Sequence, residues 1–263
     1  MKRTLSAGIT SFGLVAFSGV SLAATIDVAS QPEFKEFTEK MSPEAALLAA
    51  ALFDINMGQY EQAIAGLRVL SKDKPEAATL WGLLAVAYNQ VDDALGAYDA
   101  ASKAVALSPK NYPYQLERGV AAYRLRKFTE AEQSFSNYLL SNPKNARARL
   151  YLALSRAELG RPAEAREELV RVRSLEPGLS AQADYYIGLM DAQLGKLPQA
   201  GANLRRALTA FKEDAVAKRK VELKLAEVER RDAAQTSERQ EKVFVSVDAK
   251  NAAKSTPRPR GAS

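Results

Sequence analysis

The chain has 263 residues, of which 47% are hydrophobic and 26% charged, a balance typical of a folded protein rather than a disordered or collagenous one. It contains no cysteine and no histidine, which excludes disulfides, thiolate or imidazole metal sites and His-dependent nucleophilic catalysis. The formal net charge is +6, but residues 24–211 carry 22 basic and 22 acidic side chains, so the excess lies at the two ends. A neutral body argues against nucleic acid as a partner.

The N-terminal segment, from Met1 to Ala23, is predicted to be an export signal. Lys2 and Arg3 precede a modest apolar stretch, Leu5–Leu22, and small residues occupy the two positions that signal peptidase inspects before a cut after Ala23. The alternative is a retained membrane anchor, for which the stretch is short and weakly hydrophobic. Because an exported protein without disulfides is most typical of the bacterial periplasm, we predict a periplasmic location, with secretion or peripheral membrane attachment left open.

The segment that follows the signal, residues 24–42, is predicted to be separate from the repeats described next. It carries two aromatic residues, Phe34 and Phe37. Two placements stay open for it: packing over the first repeat, or lying in the groove of that repeat.

A pattern that repeats every 34 residues, the length of one helix–turn–helix unit, runs through the middle of the chain. It is shared by prolines and alanines, which are Pro75, Pro109, Pro143 and Pro177, and Ala63, Ala97, Ala131 and Ala165. A wider pattern accompanies them, which in the second repeat comprises Trp81, Leu84, Ala85, Tyr88, Ala97 and Pro109. Two residue types locked to one period indicate a repeated helix–turn–helix unit, in which glycine suits the inner turn and proline ends the second helix.

These residues resemble the tetratricopeptide repeat family, whose signature runs Trp-x2-Leu-Gly-x2-Tyr, then Ala, then an aromatic residue or Leu, then Pro. The resemblance covers roughly Pro43 to Phe211 and implies an all-α fold, an α-solenoid of about five helix–turn–helix repeats with a C-terminal capping helix. The predicted repeats occupy residues near 43–76, 77–110, 111–144, 145–178 and 180–213. The predicted helix caps and turn residues are Ser42, Asn145, Gly58, Gly160 and Gly195.

The chain beyond the repeats is predicted to be a basic helix followed by a tail. Residues 214–242 form the capping helix, with a basic amphipathic helix on anionic lipid as the alternative. Its apolar residues at helical spacing are Val221, Leu225 and Val228. Residues 243–263 are predicted to be mostly disordered, opening with a strand-like run, Val243–Val247, that either adds to a partner's sheet or serves as a tether.

No pattern of residues points to catalysis. The chain has no Gly-x4-Gly-Lys-Ser/Thr phosphate loop, no Gly-x-Gly-x2-Gly turn and no Gly-x-Ser-x-Gly elbow. Its neighbouring carboxylates, such as Asp92-Asp93 and Glu167-Glu168, are adjacent residues that point in different directions. We therefore predict that the protein is not an enzyme and requires no cofactor or metal.

The resemblance implies that the first helix of each repeat lines an inner groove. The predicted partner-binding residues along these helices are Leu48, Leu52, Asn56, Val86, Asn89, Gln90, Leu116, Val120, Tyr123, Arg124, Leu150, Leu154, Glu158, Tyr185 and Leu189. An apolar stripe bordered by amides suits an extended peptide or an amphipathic helix, unless its leucines belong to the core of the stack. The Lys and Asn clamp by which chaperone-binding members hold a C-terminal carboxylate is absent, because Leu, Val and Gly occupy those positions.

The predicted function is a non-catalytic protein–protein interaction scaffold or adaptor in the bacterial cell envelope. Its partners would be envelope proteins, with no nucleic acid and no integral membrane segment after signal cleavage. The resemblance suggests pilus biogenesis, secretion, polysaccharide export or outer-membrane assembly as the process. Two alternatives stay open: binding of peptidoglycan or another envelope glycan, with Tyr123, Tyr185 and Trp81 as stacking surfaces, and a structural protein that self-assembles end to end.

Overall fold

The computed structural model describes residues 42–211 and 213–255, with side chains as far as Ser246. Every regular element in this part of the chain is helical. The α-helices are α1 (Pro43–Asn56), α2 (Tyr60–Asp73), α3 (Ala78–Gln90), α4 (Ala94–Leu107), α5 (Tyr112–Arg124), α6 (Phe128–Ser141), α7 (Ala146–Glu158), α8 (Pro162–Leu175), α9 (Ser180–Gln193), α10 (Leu197–Ala210) and α11 (Ala215–Ser255). The predicted signal peptide and residues 24–41 lie outside the described residues, as do residues 256–263 of the predicted tail.

The helices α1 to α10 pack as five consecutive pairs, and each pair lies within one of the predicted repeats. The predicted fold class, an all-α solenoid of helix–turn–helix repeats, is therefore confirmed. The chain divides into two compact bodies, here called the first body, up to Leu179, and the second body, from Ser180 onward. The division falls where the regular spacing of the repeats shifts by one position and the fifth repeat begins.

Side-chain caps begin several of these helices. The Ser42 hydroxyl accepts a hydrogen bond from the Ala45 amide at 3.3 Å, directly before the proline that opens α1. The Asn145 side chain accepts one from the Ala148 amide at 2.8 Å. Both predicted caps are confirmed, and each satisfies an amide that has no partner within its own helix.

One position in the turn between paired helices has a left-handed backbone in all five repeats. Gly58, Gly160 and Gly195 occupy it with φ of 74°, 76° and 74°, as predicted. Asp92 and Arg126 occupy it in the second and third repeats with φ of 61° each. Glycine adopts this conformation without steric cost, whereas a side chain with a β-carbon is strained there, Asp less than Arg.

The periodic prolines end the second helices. Pro75, Pro109, Pro143 and Pro177 each lie two positions after the last residue of α2, α4, α6 or α8. The backbone closes a four-residue turn around each of them, as where the Ala77 amide donates to the Lys74 carbonyl at 3.1 Å. Because proline fixes φ and disfavours helix in the residue before it, the chain turns here toward the next repeat.

Small residues allow the helices of a pair to cross closely. Ala63, Ala97, Ala131 and Ala165 are all fully buried, as small residues at close helix contacts would be. Phe135 of α6 is likewise fully buried and lies against Gly119 of α5, where an added Cβ would come within 2.8 Å of the ring. Such an approach leaves no room for a larger side chain.

The first helices of the first body contact one another directly. α3 touches α5 and α5 touches α7, besides the contacts that each makes with its adjacent second helices. Because α3, α5 and α7 approach one another across repeats, they line what is here called the inner face of the first body. α3 is enclosed on several sides, so most of its residues are buried.

The second body contains α9, α10 and the long helix α11. The near end of α11 packs on α10, and Val221 and Val228 are buried there as the helical spacing predicts. The helix then continues to Ser255, so the predicted strand-like run at Val243–Val247 is wrong, and the predicted tail is helical as far as residue 255. A five-residue strand has no partner strand to satisfy its backbone, whereas a continuing helix satisfies that backbone internally.

Candidate partner-binding site

The first helices of the first four repeats all end in a polar residue. These residues, here called the polar row, are Asn56, Gln90, Arg124 and Glu158. Each is separated from the next by one full repeat, so they occupy equivalent positions. Asn56 is exposed and the other three are partly buried, so the polar row is accessible from solvent while it is held by its surroundings.

Arg124 is anchored by the end of the preceding first helix. Its Nη1 donates to the Asn89 carbonyl oxygen at 2.6 Å, and its Nη2 lies 3.1 Å from the carboxylate of Asp92. The Asn89 side chain in turn donates to the Glu117 carboxyl at 2.7 Å and to the Glu117 carbonyl at 3.1 Å. These contacts tie the end of α3 to the middle and end of α5.

Glu117 was not predicted as part of the site. Burial raises the pKa of its carboxyl above the ordinary value, while the hydrogen bond from Asn89 and the charge of Arg124 oppose this rise. The equivalent positions in the neighbouring repeats carry Leu83 and Tyr151, which pack in the core. A carboxylic acid at a repeat position otherwise occupied by apolar residues is the signal in the sequence that could have identified it.

Tyr123 lies beside Arg124 in an aromatic cluster. Its ring meets the rings of Tyr151 and Phe128 edge to face, at centroid separations of 5.3 and 5.6 Å. Burial is the main cause of the raised pKa of the Tyr123 hydroxyl, and the negative charge of Glu158 adds to it. Tyr123 is therefore a partly buried side chain that packs against two rings and lies near the carboxylate of Glu158.

Besides the buried Nε of Arg124, the polar row has unused hydrogen-bonding capacity at Glu158. Its Oε1 is buried and has no hydrogen-bond partner among the described residues. Burial raises the pKa of its carboxyl, and the positive charge of Arg126 opposes this rise. A buried carboxylate oxygen without a donor is costly, and a donor supplied by a bound segment would remove that cost.

In a second cluster of charges, between α6, α7 and α8, the carboxylates are paired with arginines of the same cluster. The buried carboxylate of Glu168 accepts from Arg149, from Arg156 at 3.4 Å and from Arg171 at 2.8 Å. Arg156 also donates to Glu132 at 3.0 Å. These groups are engaged with one another, so we assign the cluster to stability rather than to binding.

Most of the predicted apolar groove residues belong to the core. The buried ones are Val86, Leu116, Val120, Leu150, Leu154, Tyr185 and Leu189, and the polar Asn89 is buried with them. Leu48 and Leu52 are partly buried and pack against the core of the first two repeats. The prediction that these apolar side chains face a partner is therefore not supported by the burial of most of them. The predicted residues that are not buried are the polar row, Tyr123, Leu48 and Leu52.

The two candidates of the second body are enclosed within that body. Tyr185 packs edge to face on Tyr186 at 5.3 Å, and burial together with the charge of Glu227 on α11 raises the pKa of its hydroxyl to about 12. Leu189 is buried on the same helix. α11 thus approaches the side of α9 that was predicted to bind a partner.

The aromatic residues considered for glycan stacking are also engaged. The Trp81 indole donates to the Pro75 carbonyl at 2.8 Å, and the Lys103 ammonium lies 4.0 Å from the centre of the Trp81 rings. Tyr185 is buried. Of the three candidates, only Tyr123 is both partly accessible and close to the polar row.

No group of three or more His, Cys, Asp or Glu side chains in the described part of the chain is arranged to hold a metal ion. None of the helices described has the length and apolar character needed to cross a membrane.

The comparisons with known proteins agree on the fold. The tetratricopeptide repeat family model matches three overlapping stretches, residues 89–139, 116–174 and 154–215. No curated protein sequence matches the chain. Similar solved structures include YrrB, described as a TPR protein with an unusual peptide-binding site, at 20% identity and a TM-score of 0.63 over 72% of this chain and 97% of that one.

Two further solved structures are similar over nearly their whole length. MamA from Desulfovibrio magneticus RS-1 is 15% identical with a TM-score of 0.60, over 66% of this chain and 99% of that one. A thermophilic TPR protein of Thermus thermophilus is 18% identical with a TM-score of 0.50, over 70% of this chain and 99% of that one. At these identities the similarity concerns the fold.

Proposed function

Residues 89–215 match the tetratricopeptide repeat family model, and from this match we propose that the chain is a member of that family. We propose that it acts as a non-catalytic adaptor of the bacterial cell envelope and holds a segment of a partner protein on its inner face. The family's fold supports a role in protein–protein interaction. The finer proposal is that an extended peptide or a helix of the partner contacts the polar row and Tyr123 in the first body.

The observation that carries this proposal is the unsatisfied oxygen of Glu158. The carboxylate of Glu168 accepts from arginines within the protein, whereas Glu158 Oε1 is enclosed without a donor. A buried acceptor of this kind is rare in folded proteins and calls for an explanation. An N–H or O–H group of a bound segment, at a position flanked by Tyr123, would supply the missing donor.

The location in the cell envelope is proposed from the N-terminal sequence. Lys2, Arg3 and the apolar stretch up to Leu22 support export through the Sec route, and the lack of cysteine fits a periplasmic destination. Pilus biogenesis, secretion, polysaccharide export and outer-membrane assembly are processes that this location and the family would suit.

Site-specific photo-crosslinking tests the proposal. A photoreactive amino acid at Gln90 or at Glu158 is expected to yield one discrete protein adduct in cells, whereas the same group at Gln133, exposed on the second helix α6, serves as the matched control. A partner fragment identified from the adduct should bind the Glu158→Ala variant about tenfold more weakly, since one hydrogen bond to a charged group is lost.

Three outcomes would contradict the proposal. The first is equal crosslinking from Gln133 and from the polar row. The second is an adduct that disappears after glycan digestion, which would favour the envelope-glycan alternative. The third is an adduct formed only between two copies of this chain, which would favour self-assembly.

A further inference from the structure

One side of α1 carries apolar residues that the described elements leave largely uncovered. These residues, here called the leading stripe, are Ala46, Ala50, Phe53 and Met57. Their spacing of four, three and four positions puts them on one side of α1 and of the cap residue that follows it. Ala50 is exposed, and Phe53 and Met57 are 36% and 58% exposed. Ala51 and Ile55, on the opposite side of α1, are buried in the core of the first two repeats.

The positions of α3 and α7 that are equivalent to the first three residues of the leading stripe are buried. They are Leu80, Leu84 and Ala87 in α3, and Ala148, Leu152 and Ser155 in α7. A second helix packs on each of these first helices from the preceding repeat, α2 on α3 and α6 on α7. Among the described residues α1 has no such predecessor, so its leading stripe is apolar surface of the kind that a preceding repeat buries.

The chain before α1 has the length that this place requires. From the start of a second helix to the residue before the next first helix, the chain spans 18 residues in each case, 60–77, 94–111 and 128–145. The same length counted back from Pro43 reaches Thr25, directly after the predicted signal. The chain between the predicted signal and α1 is therefore as long as one second helix with its turn.

The chain also enters α1 as it enters later first helices. Ser42 has an extended backbone with ψ of 153°, and Ala77 before α3 and Asn145 before α7 are extended with ψ of 93° and 101°. At Ala77 and Asn145 the chain arrives from the second helix that packs on the first helix it is about to form. Because an extended residue before Pro43 interrupts any helix, the preceding chain cannot simply prolong α1.

We propose that residues 25–41 cover the leading stripe, in the place that a second helix takes in the later repeats. Within this segment Phe34, Phe37 and Met41 recur at helical spacing and supply three apolar anchors. A helix that begins at Pro32 and ends at Met41 would be about 15 Å long. The leading stripe has nearly the same length, about 16 Å along α1.

The direct connection to α1 favours this segment over other occupants of the leading stripe. A segment joined to α1 at Ser42 is always near the stripe, at an effective concentration in the millimolar range. A second copy of the chain, or a helix of another protein, would have to displace it. The covered stripe would close the end of the repeat stack, as a terminal repeat requires for solubility.

Thiol protection tests the inference, because the chain has no cysteine of its own. Ala50→Cys places a thiol in the leading stripe, and Val69→Cys, at a position 53% exposed on α2, is the matched control. Leu84 and Leu152 occupy the position of Ala50 in later repeats, so a cysteine is small enough for a covered site. The rate of alkylation by iodoacetamide is followed by mass spectrometry, in the full chain and in parallel in the chain from Ala24.

Two further pairs of substitutions probe the segment itself. Phe34→Ser with Phe37→Ser removes two of the proposed anchors, whereas Lys35→Ser with Lys40→Ser changes polar residues of the same segment and serves as the control. Each pair is combined with Ala50→Cys in turn. Thermal unfolding of every variant verifies that the repeats stay folded.

We expect Ala50→Cys to react at least tenfold more slowly than Val69→Cys, since its thiol is reached only when the segment opens locally. The phenylalanine pair should raise the rate of Ala50→Cys to within about twofold of the control, and the lysine pair should leave it slow. Met57 offers a readout without a substitution in α1, because peroxide should oxidise it faster in the phenylalanine pair than in the parent.

Three results would overturn this inference. One is an equal rate for Ala50→Cys and Val69→Cys, and another is protection that persists in the phenylalanine pair. The third is protection that is lost when the protein is diluted, which would assign the leading stripe to a second copy of the chain. None of these results bears on the polar row, so the adaptor proposal would be unaffected.

Discussion

At the scale of single residues, the informative positions are those where the repeat departs from its own pattern. Glu117 stands where the neighbouring repeats have Leu83 and Tyr151, and Arg126 stands where three repeats have glycine. The first departure places a carboxylic acid among packed side chains, and the second places a β-carbon in a left-handed turn. Each has a measurable energetic consequence.

The Glu117 carboxyl should make folding stability depend on pH. Its folded-state pKa is raised, so the folded protein binds the proton more tightly than the unfolded chain does. Stability from this group is therefore fully present below the unfolded pKa near 4.5 and is lost as the pH rises through the folded pKa. The Glu117→Gln variant, which can still accept from Asn89, should be more stable than the parent at pH 7, with the difference shrinking toward pH 4.

Denaturant unfolding at a series of pH values measures this effect. Glu76→Gln, at an exposed position just after α2, is the control and should leave the pH profile of stability unchanged. A Glu117→Gln variant that is less stable than the parent at pH 7 would show that the charged form, paired with Arg124, is the favoured one.

The left-handed turn at Arg126 predicts a gain in stability with glycine. Arg126→Gly and Arg126→Ala both remove the guanidinium, which lies 5.3 Å from the centre of the Phe128 ring, but only glycine removes the β-carbon. With φ of 61° at this position, the glycine variant should be more stable than the alanine variant by about 1 kcal/mol.

The neighbouring residue provides the comparison for this prediction. Lys127 has an ordinary φ of −83°, so glycine should give no advantage over alanine there. Thermal and denaturant unfolding of the four variants measure the difference. Equal stabilities of Arg126→Gly and Arg126→Ala would mean that the turn tolerates a β-carbon without strain.

At the scale of elements, the two halves of α11 are held in different ways. Its near end supplies Val221 and Val228 to the second body, whereas residues 233–246 are exposed throughout. The near end is therefore held by burial of apolar surface, and the far end by the internal hydrogen bonds of the helix.

Truncation separates these two parts of α11. A chain that ends at Asp232 should melt within about 2 °C of the parent, because residues 233–246 are exposed and leave no packing contacts to lose. Val221→Ala, which leaves a cavity at a fully buried position, should lower the free energy of unfolding by about 2 kcal/mol. Differential scanning calorimetry compares the two, and a truncation as damaging as Val221→Ala would show that the far half stabilises the fold.

At the scale of the whole molecule, stability in a repeat stack is a sum over neighbours. Gly119→Ala introduces a Cβ 2.8 Å from the Phe135 ring and should cost about 2 kcal/mol. We expect amide hydrogen exchange to accelerate most in α5 and α6, less in α4 and α7, and little in α1. Gly178→Ala is the control, because the atom nearest to its new Cβ is Glu176 Oε1 at 3.5 Å.

Mass-spectrometric hydrogen exchange resolves this gradient helix by helix. Uniform acceleration from α1 to α8 in Gly119→Ala would contradict the nearest-neighbour picture, since it would show that the first body opens as one cooperative unit. No acceleration anywhere would show that Phe135 can move aside to admit the extra carbon.

The parts of the fold that the sequence predicts well are those set by local chemistry. The repeat period, the prolines after the second helices and the glycine turns each follow from the backbone of a few residues, and the structure confirms them. The strand-like run at Val243–Val247 is wrong for the complementary reason. β-Branched and aromatic residues favour strands only where a sheet exists to receive them, and here a long helix precedes them.

The candidate site is less predictable, because the period identifies equivalent residues without giving their depth. Leu116 and Arg124 lie on the same first helix and were both predicted to face a partner, yet Leu116 is buried and Arg124 is partly accessible. Depth depends on helices that approach from neighbouring repeats, and α5 touches α3, α4, α6 and α7. Polar residues were better candidates than leucines since they require solvent or a hydrogen-bond partner.

The spacing of the polar row also predicts the spacing of contact residues along a bound segment. Helices in direct contact are about 8–10 Å apart, so Gln90, Arg124 and Glu158 follow one another in steps of roughly that length. A polyproline II segment advances about 3.1 Å per residue with three residues per turn, so one step matches about one of its turns. A segment of this kind lying across the three helices would present every third side chain to the row, and we expect a partner to carry a sequence with that period over about seven residues.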